Sequence, residues 1–96
     1  MLIKAGIDIS RLRPEIRKKL PAIEEIVMSS SEELVITSTY EGTHSAGSLA
    51  YANLAIGIRR PKDARYKIML TLKEYLGPDY NVIRRGDNIH IEYDPK

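Results

Sequence analysis

Residues 80–93, Tyr-Asn-Val-Ile-Arg-Arg-Gly-Asp-Asn-Ile-His-Ile-Glu-Tyr, constrain the fold of this chain more than any other stretch. Tyr80 to Arg84 and Ile89 to Tyr93 read as strands, and Arg85-Gly86-Asp87-Asn88 between them is a turn sequence, so the segment is a β-hairpin. Alternation sets Asn88, His90 and Glu92 on one face of the second strand and Ile89, Ile91 and Tyr93 on the other. If the isoleucines enter a core, His90 looks onto a polar surface. The Arg85-Gly86-Asp87 tripeptide needs no adhesive role, because a tight turn calls for these residue types on conformational grounds.

Upstream, the periods change. Met1 to Ile9 is short and alternating. Arg13-Pro14-Glu15 marks a helix start, and Ile16, Leu20, Ile23 and Val27 follow as one apolar stripe. Pro21 lies inside that stripe and predicts a kink or break at about Leu20. Leu34 to Tyr40 is rich in β-branched residues and reads as a strand. A polar loop, Glu41 to Ser48, leads into Asn53–Arg59, where Leu54, Ile56 and Ile58 alternate with Asn53, Ala55, Gly57 and Arg59. From Asp63, a candidate N-cap, Ala64, Ile68, Leu72 and Tyr75-Leu76 form a second amphipathic helix closed by Gly77-Pro78. The order helix, strand, loop, strand, helix, strand, strand predicts an α+β domain: a small, mainly antiparallel sheet covered by helices.

With 96 residues the chain has room for one core, so residues 1–96 are expected to be a single domain. A net charge of +2 is too weak to argue for a nucleic-acid partner, so none is expected, and the pairs Arg59-Arg60 and Arg84-Arg85 read as solvated strand ends. The absence of cysteine excludes disulfides, thiolate metal sites and cysteine nucleophiles. No apolar run reaches the roughly 20 residues needed to span a bilayer, and no signal-peptide h-region stands at the start. The expectation is a monomer made in the cytoplasm, with any action at a cell wall following lysis or another export route.

Two histidines, His44 in the polar loop and His90 in the last strand, are the candidates for metal or acid–base chemistry. Asp87 precedes His90 by three residues across the turn, close enough to orient it. Gly57 is conspicuous because a glycine between two isoleucines costs a strand about 0.5–1 kcal/mol relative to alanine. Two readings stand: a functional side chain has been removed there, or the position accommodates close backbone approach.

The block Glu41-Gly42-Thr43-His44-Ser45, continuing through Ser48-Leu49 and Tyr51 to Ala55 and Ile58, together with Ile89-His90-Ile91-Glu92-Tyr93, resembles the zinc peptidase fold shared by D-alanyl-D-alanine carboxypeptidases, phage endolysins and the Hedgehog signalling domain. The likeness runs from residue 35 to the end of the chain. It implies a Hedgehog/DD-peptidase-like fold and hydrolysis of a peptide bond near D-alanine in peptidoglycan stem peptides. In the family a histidine, an aspartate seven residues later and the last histidine of a terminal pair hold zinc; here those slots carry Ala50, Gly57 and His90. A family glycine between them corresponds to Asn53, and the first histidine of the terminal pair to Asn88. Asp87 takes the place of the general acid/base and His44 that of a histidine lining the cleft around the metal. Ser45, Tyr51 and Glu92 are the expected peptide contacts.

Methyl and hydrogen cannot donate to a metal, so the resemblance implies an inactive, zinc-free relative, whether a pseudoenzyme or a disabled mutant. The competing expectation is a non-catalytic binding or assembly module, such as a phage particle component, on the same scaffold. A third is residual metal binding by His44, Asp87 and His90.

Overall fold

The computed structural model describes residues 1–30, 32–39, 53–62 and 65–95. In chain order the elements are β1 (Leu2–Ile3), α1 (Pro14–Arg17), α2 (Leu20–Met28), β2 (Val35–Ser38), β3 (Ala55–Arg59), α3 (Arg65–Leu76), β4 (Tyr80–Arg85) and β5 (Asn88–Tyr93). The strands form one sheet in the order β1-β2-β3-β5-β4. Only the β1–β2 pair is parallel, so the sheet is mixed but mainly antiparallel, and the α+β expectation holds at that level.

The break near Pro21 is real and has a simple cause. Proline lacks an N–H, and its ring would collide with the carbonyl of Arg17 in a continuous helix. The first helix therefore ends at Arg17, and Pro21 sits in the first turn of α2, where no intrahelical donor is needed. Ser29 and Ser30 close α2 by donating their hydroxyls to the carbonyls of Ile26 and Val27 at 2.6 and 2.7 Å. Helix α3 ends at Gly77, whose φ of 83° only glycine adopts cheaply. The expected cap at Asp63 lies outside the described residues.

The core occupies one face of the sheet. Ile36, Ile56, Ile58, Ile89 and Ile91 from the strands meet Ile16, Ile23, Val27, Ile68 and Leu72 from the helices, each nearly or fully buried. Each such side chain contributes about 1.5–3 kcal/mol relative to exposure. Tyr80 ties the hairpin to α1: its hydroxyl donates to the Glu15 carbonyl at 2.7 Å, and its ring lies 5.1 Å from that of Tyr93. Gly86 carries a φ of 59° at the first central position of the β4–β5 turn while Asp87 keeps a negative φ, the pattern of a type II′ turn.

Candidate functional site

The hairpin register places the polar residues on the sheet face opposite the core. Gly57 on β3 is the direct partner of His90 on β5, and Ile83 on β4 flanks His90 from the other side. Directly paired residues in an antiparallel ladder share a face with Cβ positions roughly 4.5–5.5 Å apart. Ala55 and Glu92 form the next pair along the same face, and Asn81 pairs with Glu92 across β4. The side expected for His90 is therefore correct, but its surroundings are not those of an open surface. His90 is only 9% exposed.

Glu92, two residues on, is the carboxylate that engages the imidazole, with Nε2 and Oε1 2.7 Å apart. Its other oxygen accepts from the Asn81 amide at 3.0 Å, and the same amide reaches Asp94 at 3.3 Å. Burial opposes the charge on Glu92. The hydrogen bonds from Asn81 and His90, helped by Coulombic attraction to His90 and Arg85, outweigh it and hold the carboxyl below its ordinary range. An ionised carboxylate only accepts, so Nε2 carries a proton and donates it to Glu92 Oε1. Glu92 thus positions the imidazole and spends both oxygens within the sheet.

Gly57 has a packing reason that its local sequence hides. Between Ile36 and Ser38 the β2–β3 register shifts, so both Thr37 and Ser38 stand against Gly57. Such a bulge turns two successive side chains toward one partner residue. A Cβ at position 57 would overlap Ser38 Oγ, and would lie 3.4 Å from Thr37 Oγ1 and 3.5 Å from Ser38 Cβ. Across β3, the Thr37 hydroxyl donates to Asn88 Oδ1 at 3.2 Å and so links β2 to β5. The close approach at Gly57 comes from side chains rather than from backbone. Beside it is a small pocket of about 100 Å³ lined by Ser38, Gly57, Arg85, Asn88 and His90.

His44, Ser45, Ala50 and Tyr51 lie outside the described residues. Asp87 occupies the hairpin turn, exposed, and its backbone carbonyl accepts from the Arg60 N–H at 2.8 Å. Asp87 borders a basic groove of about 390 Å³ together with Arg59, Arg60 and Lys62. Glu92, not Asp87, is the carboxylate hydrogen-bonded to His90. Gly57 offers no donor, and among the described residues no group of three or more His, Asp or Glu side chains is placed to hold a metal ion. Sequence reasoning overlooked Ser38, for which no local signal exists. It also overlooked Asn81, whose pairing with Glu92 follows from counting back across the two-residue turn.

No family model, curated protein or solved structure matches this chain. Among the described residues, no helix is long and apolar enough to cross a membrane.

Proposed function

We propose that this protein is an inactive relative of a zinc-dependent peptidoglycan D-Ala-D-Ala carboxypeptidase or endopeptidase, on a Hedgehog/DD-peptidase-like scaffold that retains a peptide-binding face without the metal. The carrying observation is the direct opposition of Gly57 and His90 on one sheet face. The resemblance assigns both positions to the metal, and ligands of one ion must converge because zinc–nitrogen bonds are only about 2.0–2.1 Å long. Two further features support the reading. Asn53, in the slot of a family glycine, has a φ of 62°, the left-handed conformation that favours glycine and that asparagine tolerates best among other residues. The Glu92–His90 hydrogen bond is also the arrangement by which a carboxylate fixes the tautomer of a ligating histidine.

The test is to restore the set. Ala50→His with Gly57→Asp, combined with Ser38→Ala to clear the hydroxyl from position 57, should confer micromolar or better zinc affinity by calorimetry and a zinc-dependent rise in Tm. Ala50→His or Gly57→Asp alone should bind far more weakly. A folded triple variant indifferent to zinc would mean the slots do not converge, and the reading would fall. Binding of a stem peptide ending in D-Ala-D-Ala to the unaltered protein separates a retained peptide cleft from the alternative, an assembly module on the same scaffold.

A further inference from the structure

Among the described residues β4 is an outer strand of the sheet, and the hairpin register says which of its backbone groups β5 does not take. Arg85 and Asn88 close a two-residue turn, so Arg85, Ile83 and Asn81 turn their N–H and C=O groups toward β5. The alternate residues of β5 face β3 instead, as the Tyr93 N–H donating to the Leu54 carbonyl at 2.8 Å requires. Val82 and Arg84 therefore direct both backbone groups away from the sheet. So does the Tyr80 carbonyl, while the Tyr80 N–H is taken by the Gly77 carbonyl at 3.3 Å. A groove of about 530 Å³ runs along this edge, bordered by Lys73, Tyr80, Val82 and Ile83. Ile83 is 38% exposed there.

We propose that this edge pairs with the same edge of a second copy of the chain, antiparallel and centred on Val82, in place of the monomer expected from sequence. Outward groups can meet only outward groups, which leaves few symmetric registers, and charge chooses among them. Centring on Val82 sets Arg85 opposite the partner's Asp79, Arg84 opposite the partner's Tyr80 and Ile83 opposite the partner's Asn81. Two-fold symmetry repeats each pair. Asp79 and Arg85 are both exposed. Sliding the partner so that Val82 meets Arg84 brings Asp79 against the partner's Asp87. Centring on Arg84 stacks arginine on arginine. Sliding the other way leaves Arg84 and Arg85 opposite Pro78 and Gly77. Opposite charges directly across a ladder stabilise it and like charges destabilise it, so the Val82-centred register wins.

In that register the two Val82 residues exchange N–H to C=O bonds, and each Arg84 N–H donates to the partner's Tyr80 carbonyl. One strand pair is a smaller contact than the roughly 1,200–2,000 Å² of stable interfaces, so the dimer is weak and forms at high concentration. Lys73 puts a like charge on the side where the partner's Arg84 enters.

Sedimentation velocity of the intact chain from roughly micromolar to millimolar concentration tests this, with amide NMR shifts read in parallel. The mass should rise toward that of a dimer as the Val82 and Arg84 amides move together. Asp79→Arg and Arg85→Asp should each weaken association about tenfold, because each reverses two pairs per dimer, and the double reversal should restore it. Arg84→Pro removes an outward donor without touching a β4–β5 bond, so it should abolish the dimer in a protein that still folds. Lys73→Glu should tighten it. A monomer at every concentration would overturn the proposal. So would a dimer that the single reversals leave unchanged or that the double reversal fails to rescue.

Discussion

Replacing Gly57 by alanine asks whether this glycine is a bare vacancy or a packed position. Its φ is not in the left-handed region, so alanine fits the backbone, and removing a strand-interior glycine should by itself stabilise the fold by about 0.5–1 kcal/mol. Against this stands one hydroxyl. The new Cβ would overlap Ser38 Oγ, whereas its distances of 3.4 Å to Thr37 Oγ1 and 3.5 Å to Ser38 Cβ are close to ordinary contact. Turning the Ser38 side chain away, at a cost of about 0.5–1.5 kcal/mol if it is forced off its preferred rotamer, cancels the gain or reverses it. In a Ser38→Ala background the obstacle is gone and the full gain should return. A double-mutant cycle by urea unfolding should therefore give a coupling of about 0.5–1.5 kcal/mol, visible in thermal melts as about 4–8 °C per kcal/mol. If Gly57→Ala stabilises the protein equally with serine or alanine at position 38, within the roughly 0.3 kcal/mol of ordinary additivity, the packing argument is wrong.

Two further outcomes follow from the polar face and the hairpin. The folded state holds the Glu92 carboxyl below the ordinary glutamate value of about 4.3, so ionised Glu92 contributes stability that is complete above that value and is lost as pH falls through the depressed one. Urea midpoints measured from neutral pH downward should show this acid loss, and Glu92→Gln should flatten that part of the curve; an unchanged slope would sink the assignment. Tyr80→Phe removes the 2.7 Å bond to the Glu15 carbonyl and should cost about 0.5–1.5 kcal/mol in the same assay, mainly by loosening α1 from the hairpin.

The sequence by itself determined the elements whose causes are local. Two period-two segments around Gly86-Asp87 are enough to specify the hairpin and its faces, because a side chain's direction in a strand depends on its own backbone. Pro21 split the first helical stripe for the same kind of reason, a clash with a carbonyl four residues back. The side of the sheet on which His90 stands was legible in this way, as was its separation from Ile89 and Ile91. What only the tertiary structure decided concerns residues distant along the chain. The two-residue strand at the N-terminus becomes a parallel edge by taking Val35 and Ile36 as partners. The shift between Ile36 and Ser38 brings Ser38 over Gly57 and lets Thr37 reach Asn88, 51 positions away. It also decided that His90 is buried and oriented by Glu92. Glycine at position 57 looks like a deficit within its strand because its neighbours there are isoleucines. Its space is taken by a hydroxyl from the adjacent strand, and contacts between strands are set by register, which no single strand encodes.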